Sequence, residues 1–351
     1  MNHSSNNTTH EESGLESRSL GGADTYYESM PVEEVLALMD AAQTIAISGH
    51  VNPDGDALGS ALALRDLLEA MGKKVDILLG QESPALELYA FLPDYTFVHA
   101  SDYSEIPDLF IVVDASTSKR LSAAECFLQT AGDTLVIDHH ANYEGFAQHY
   151  FGDSTAPAAA SLIWRIIKAS GIEPTRNMAT YCYVGIMTDT GRFAFTNTDR
   201  SAFIDATEMV DLGVDPAELS QLVYQSKSVP AMRLEALIID RIKFACNNCV
   251  VYSYLLPDDL ASLGLSRDDT ETIPTLLRCI KDVEVAVLFR DEEEEGVRVN
   301  LRSRSAYNVG TFACELGGGG HAGAAGFTLA MPLGEAIPYV LDALLKDLAC
   351  G

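Results

Sequence analysis

The sequence predicts an α/β fold, a parallel sheet with helices on both faces, followed by a smaller α/β domain at the C-terminal end. Three observations carry the prediction. Apolar runs at residues 44–48, 74–79, 109–114 and 134–138 alternate with helical patterns, and strands that are apolar along nearly their whole length belong to a parallel sheet covered on both sides. The pattern breaks at Ser226–Pro230, and a new set of helix and strand signals follows. Several apolar runs also end in Asp or His, at the carboxyl ends of strands, where open α/β sheets bind their ligands.

Composition sets the class. The 351 residues suffice for two domains with sizeable cores. A hydrophobic content of 47% with 21% charged residues is that of a globular protein. No apolar run has the length of a membrane span, and the first residues lack the basic start and apolar core of a signal peptide. A cytoplasmic protein without membrane contact is therefore expected. Cys246 and Cys249 form a Cys-x-x-Cys pair, but the two further soft ligands that zinc requires are missing nearby. The net charge of −28 disfavours long nucleic acids. It leaves room for small anions at a locally positive site.

Taken in order, residues 1–30 are polar and aperiodic and read as a flexible tail. A helix starts near Pro31. The first domain is placed at 31–225. Its strands are those named above, and its helices are Ala57–Met71, closed by Gly72, then Ala158–Ser170, Asn177–Thr188, Arg200–Leu212 and Pro216–Tyr224. A linker is placed at 226–235 and the second domain at 236–351. A helix opens it, strands follow at Cys249–Leu256, Val283–Arg290 and Val297–Ser303, and Leu333–Leu348 closes it as a helix.

The chemistry gathers at four segments of the first domain. His50, Asp54 and Asp56 share one tight strand-to-helix turn bent by Pro53 and Gly55. Carboxylates two residues apart repel, and a divalent cation removes the repulsion. Asp114 ends one apolar strand, Asp138, His139 and His140 end the next, and Asp189 follows a further apolar segment. Four segments agreeing on Asp and His make a metal site the favoured reading of residues that singly could be ordinary loop and cap groups.

In the second domain the two-residue strand period puts Arg298, Asn300, Arg302 and Arg304 on one face. Arginine suits phosphate recognition. The row leads through a short helix, Val309–Leu316, into Gly317, Gly318, Gly319, Gly320 and His321. Glycines let backbone amides approach an anion closely. The run follows a helix rather than a strand, so it is not the dinucleotide fingerprint, and it lacks the Lys-Ser/Thr end of a P-loop.

The segments at His50–Asp56, Asp114, Asp138–His140 and Thr188–Phe193 resemble the DHH phosphoesterases, and Arg302 with Gly317–His321 resembles the DHH-associated C-terminal domain. Within that family the chain is most similar to small bifunctional proteins that degrade oligoribonucleotides and dephosphorylate 3′-phosphoadenosine 5′-phosphate. The resemblance implies two divalent cations, usually Mn²⁺. His50, Asp54 and Asp114 would hold the first, and Asp56, Asp114, His139 and Asp189 the second. Asp114 and His140 would be the catalytic pair, His140 touching the scissile phosphate with Asp138 behind it. Arg302, Gly317, Gly318, Gly319, Gly320 and His321 would bind the rest of the substrate, with the active site in the cleft between the domains. Partners are then short oligoribonucleotides or nucleotides, and a homodimer is compatible with the pattern. A cyclic dinucleotide phosphodiesterase and a RecJ-type single-strand exonuclease are the alternatives. A sensor that has lost catalysis would show a missing ligand, and every ligand position is filled.

Overall fold

The computed structural model describes residues 27–83, 85–270, 273–304 and 307–348. Most of the predicted tail lies outside them. Its last four residues are tied down, since Met30 N–H donates to Tyr150 O at 2.8 Å and Gly152 N–H donates to Ser29 Oγ at 3.0 Å. The described chain divides into two compact units, with the boundary between Asp215 and Pro216. That is earlier than the predicted linker at 226–235, most of which is helical. Ser228 caps the helix there by accepting from Ala231 N–H, with Pro230 in its first turn.

The first unit runs α1 (Val32–Ala41), β1 (Thr44–Ser48), α2 (Gly55–Ala70), β2 (Lys74–Leu79), α3 (Ala85–Tyr89), β3 (Val98–His99), β4 (Leu109–Val113), α4 (Phe127–Thr130), β5 (Asp133–Asp138), β6 (His149–Gly152), α5 (Ala159–Ala169), α6 (Arg176–Asp189) and α7 (Arg200–Asp211). Its six strands are all parallel, in the order β3-β2-β1-β4-β5-β6. The chain direction across the sheet reverses between β1 and β4, and such a switch point is where a doubly wound sheet binds ligands. The loops after β1, β4 and β5 all open there.

Alternation along the strands assigns the two faces. Ala46, Phe110, Val112 and Val136 pack with Leu121, Ala124 and Phe127, under the 3-10 segment Ser118–Cys126 and α4. The main helices cover the other face. Nearly all of α2 is buried, which suits a central helix rather than an amphipathic one. It packs against α6 at backbone contact. A Cβ on Gly59 would lie 2.3 Å from Tyr181 O, and one on Gly55 would lie 2.6 Å from Thr188 Oγ1. These contacts run in opposite chain directions, so the start of α2 meets the end of α6. Asp56 and Asp189 are brought together by that antiparallel crossing.

The second unit contains α8 (Pro216–Tyr224), α9 (Val229–Asp240), β7 (Lys243–Ala245), β8 (Val250–Leu255), α10 (Pro257–Leu263), α11 (Ile273–Arg278), β9 (Val285–Asp291), β10 (Val297–Ser303), α12 (Val309–Glu315), β11 (Gly319–His321), β12 (Ala324–Leu329) and α13 (Leu333–Asp347). Its sheet is mixed, ordered β11-β12-β10-β9-β8-β7, with only β8 and β9 parallel. Val297, Val299 and Leu301 point into a core with Phe312, Phe327 and Val340. Arg298, Asn300 and Arg302 take the opposite face and are half-buried. The strand ends at Ser303, so Arg304 lies beyond the row and donates to Ile280 O at 3.2 Å. No helix among the described residues is long and apolar enough to cross a membrane.

Candidate metal centre

The loop after β1 is built around Asp54. Its carboxylate accepts from Asp56 N–H at 2.9 Å and Ala57 N–H at 3.1 Å, which caps α2. The helix therefore begins before Asp56, and Asp56 is carried into the first turn, fully buried. There it caps a different helix. Asp56 Oδ2 accepts from Ala159 N–H at 2.7 Å and Oδ1 from Ala160 N–H at 2.8 Å. Helix α5 has Ala158 at its own N-cap and no side-chain cap of its own. Its exposed amides and dipole favour an anion, and Asp56 supplies one. Asp114 follows β4 in left-handed backbone, φ 56°, a conformation costly for a residue with a side chain and concentrated at functional sites.

The histidines present the nitrogen that a metal needs. His50 Nδ1 lies 2.8 Å from Val51 O, and His139 Nδ1 lies 3.3 Å from Ala156 O. Donation to those carbonyls puts the proton on Nδ1 and leaves Nε2 as the lone-pair donor, the arrangement of ligating imidazoles. His50 Nε2 stands 3.4 Å from Asp114 Oδ2 and 4.0 Å from Asp54 Oδ1. His139 Nε2 stands 3.6 Å from Asp114 Oδ1, 3.7 Å from Asp189 Oδ2 and 3.9 Å from Asp56 Oδ2. The two oxygens of Asp114 thus face two different histidines. Among the described residues three overlapping groups of donors result: His50 with Asp54 and Asp114, Asp56 with His139 and Asp189, and Asp114 with His139 and His140. His140 is also close to Asp114, but the nitrogen that approaches it, Nδ1, is 2.7 Å from Asp138 Oδ1. That bond to Asp138 engages the nitrogen His140 turns towards Asp114, so the first two groups are the stronger donor sets.

Burial holds the Asp114 carboxyl well above the usual range, with the charges of Asp56 and Asp54 adding to it. Burial raises Asp56 as well. Asp189 is pushed up to about 7 by burial and by the Asp56 charge. His139 is raised because Asp56, Asp114 and Asp189 outweigh its burial, and His140 is raised to about 9, its bond to Asp138 outweighing burial. His50 goes the other way, lowered by burial. Buried carboxylates crowded in this way, with imidazole lone pairs turned towards them, fit a divalent cation: only added positive charge lets them all ionise. The oxygen-rich, imidazole-containing set suits Mn²⁺ or Mg²⁺ better than structural zinc.

A stability prediction follows. Carboxyls raised in the fold bind protons that the unfolded chain has released, so their contribution is full below pH 4 and is lost as pH rises through their folded values. The raised histidines act in the same direction up to about pH 9, and His50 opposes them. Between pH 5.5 and 8, where exposed carboxyls no longer titrate, the metal-free protein should melt at progressively lower temperature. Saturating Mn²⁺ should flatten that slope. Calorimetry in chelator and in Mn²⁺ measures it, and a metal-free melting point that climbs towards pH 8 would contradict the electrostatics.

The other expected site residues lie in the second unit. Arg302 is on the predicted face, its guanidinium 3.0 Å from Leu301 O. The glycine run is not a loop throughout: Gly319–His321 form the edge strand β11, pairing with β12. Gly317 has φ 81°, so backbone conformation explains it, and a Cβ on Gly318 would lie 2.3 Å from Gly326 O, so packing explains that one. Nothing lies within 4 Å of where a Cβ of Gly319 would be. Its bare backbone leaves a flat, open patch in register with Gly326, next to Asn300.

Residues 44–186 match the DHH family N-terminal domain, and residues 247–349 match the DHHA1 domain. The bifunctional oligoribonuclease and PAP phosphatase NrnA of Thermus thermophilus is 32% identical over 92% of this chain and 95% of its own length. The chain belongs to the DHH family. A probable NrnA of Streptococcus mutans is 29% identical over 89% of this chain and 98% of its own. Among solved structures, an exopolyphosphatase-related protein from Bacteroides fragilis superposes with a TM-score of 0.84 at 24% identity, covering 90% of this chain and 95% of that one. Thermus thermophilus RecJ in complex with Mn²⁺ follows at 0.53 and 16%, covering 92% of this chain and 56% of that one. These two structures share the fold.

Three features of this DHH centre escaped sequence reasoning. The amides of Ala159 and Ala160 hold Asp56, Asn197 holds Asp189, and the Arg120 charge acts on both His50 and His140. Only the first had a signal, a helix opening on Ala158-Ala159-Ala160 with no capping side chain.

Proposed function

We propose that this DHH protein is a two-metal phosphoesterase that hydrolyses short oligoribonucleotides to mononucleotides and 3′-phosphoadenosine 5′-phosphate to AMP. One observation carries the reading: Asp114 offers one oxygen to each of two donor sets. His50, Asp54 and Asp114 would hold one ion, and Asp56, Asp114, His139 and Asp189 the other. When bound, two divalent ions, here taken as Mn²⁺, polarise the phosphoryl group and offset charge on the attacking and leaving oxygens. The protein's own residues supply the rest. Asp138 keeps His140 protonated and oriented, so that His140 donates to the scissile phosphate. Arg302 clamps a second phosphate. The glycine run, with Gly319 and Gly320 in its strand, and His321 bind the nucleoside. The named activity of the relatives supports the same substrates.

The test is a ladder of RNA lengths at two ionic strengths. A chain of net charge −28 repels each phosphate that extends beyond the site. A protein that tracks long strands needs a positive groove with aromatic platforms, and the arginine row is short. Dimers to about pentamers should be hydrolysed best, with longer strands progressively poorer and salt narrowing the difference. A kcat/KM that rises with length would favour the RecJ-type reading instead.

A further inference from the structure

The chain beyond Asp189 takes a strained path. Gly191, Arg192 and Phe193 are left-handed in succession, with φ of 55°, 63° and 59°. Two of them carry side chains, and each costs about 1 kcal/mol or more in that conformation. Buried Thr190 holds the turn. Its carbonyl accepts from Ala194 N–H at 3.0 Å and Phe195 N–H at 2.9 Å, and its hydroxyl accepts from Phe193 N–H at 3.1 Å. The same hydroxyl donates to Ile186 O at 2.6 Å. The reversal brings Asn197 back against Asp189.

Asn197 Nδ2 faces three acceptors there: Pro157 O at 2.9 Å, Asp189 O at 3.2 Å and Asp189 Oδ2 at 3.0 Å. A flipped amide would set oxygen against three oxygens, so chemistry fixes its orientation. The other end, Oδ1, is buried and has no hydrogen-bond partner among the described residues. The amide thus sits where its donors reach Asp189, at the expense of its own acceptor. Asp189 Oδ2, the oxygen it grips, is the one 3.7 Å from His139 Nε2.

Pro157 lies in the stretch that orders the whole donor set. Ala156 O holds His139 Nδ1, and the amides of Ala159 and Ala160 hold Asp56. Asn197 is the link from that stretch to the third donor. We infer that Asn197 is a positioning residue: by bridging Pro157 and Asp189 it holds the Asp189 carboxylate in register with Asp56 and His139, and so sets the metal affinity of that group. The inference rests on the metal-dependent reading above.

The test uses the full chain, stripped with chelator, and its Asn197→Ala and Asn197→Ser variants. Mn²⁺ binding is followed by titration calorimetry, and the melting temperature is taken without metal. Metal affinity should fall about 10- to 100-fold in both variants, with kcat at saturating Mn²⁺ restored to within about threefold of wild type, the scale for loss of an outer partner of a ligand. The metal-free melting temperature should stay close to wild type. In an Asp189→Asn background, Asn197→Ala should weaken binding no further, because its effect runs through the lost carboxylate. Unchanged affinity overturns the inference, as does a loss that adds in full on Asp189→Asn. Both variants failing to fold also overturns it, since the role would then be structural. If the wild type binds no Mn²⁺, the metal reading falls and this inference with it; if the wild type binds and the variants bind equally, only this inference falls.

Discussion

Asp114→Asn should lower kcat about a thousandfold, the loss expected when a central charge-stabilising group is removed, while the protein stays folded. Asparagine keeps the shape of the side chain but replaces one carboxylate oxygen by an NH₂ that cannot ligate. Because Oδ1 and Oδ2 face different donor sets, neither amide orientation can serve both. The same change should raise the metal-free melting temperature near pH 8. It deletes a carboxyl that burial and its acidic neighbours disfavour in the charged form. Activity and metal-free stability therefore move in opposite directions, a combination that a general folding defect would not give. Turnover above a tenth of wild type would remove Asp114 from its bridging position.

Gly185→Ala should damage the site from behind. A Cβ there would lie 2.6 Å from Ala160 Cβ and 2.8 Å from Asp56 Oδ1. Neither neighbour can move freely, because Ala160 belongs to the helix turn whose amide holds that oxygen. We expect a stability loss of about 1–3 kcal/mol from overpacking, together with weaker metal binding because Asp56 is displaced. Gly334→Ala is the matched control. Nothing lies within 4 Å of its Cβ position, so its effect should stay within about 0.5 kcal/mol. Denaturant unfolding of both variants, with Mn²⁺ titration, makes the comparison. A Gly185→Ala protein as stable as Gly334→Ala would show that the α2–α6 crossing tolerates the methyl group.

The donor set was legible because its signals are local. An apolar strand ending in Asp or His announces both its geometry and its chemistry within a few residues, and β1, β4 and β5 deliver theirs to one switch point. Asp189 was legible in the same way, since the helix expected at Asn177–Thr188 leads into it and the structure closes α6 on that residue. Strand β3 is two residues long and β6 four, too short to carry a period. Strand β11 begins with two glycines, which offer no side-chain pattern at all. The division at Asp215 falls between two consecutive helical signals, Arg200–Leu212 and Pro216–Tyr224, which no local pattern assigns to different units. The Ser-Lys-Ser-Val-Pro stretch drew attention as a linker through the same residues that cap and start α9. The links from Asn197 to Asp189 and from Asp56 to α5 join residues far apart in sequence or across a strained reversal, and no local pattern reports them.

The centre as a whole is tested most directly by the products formed from a 5′-labelled triribonucleotide. The protein is stripped with chelator, and the reaction is resolved by chromatography with and without added Mn²⁺. Mononucleotides should appear only with the metal, and the stripped protein should be inert and recover fully on addition of Mn²⁺. Undiminished cleavage in chelator, or no cleavage with Mn²⁺, Mg²⁺ or any other divalent ion, would contradict a phosphoesterase built on Asp114 and its two donor sets.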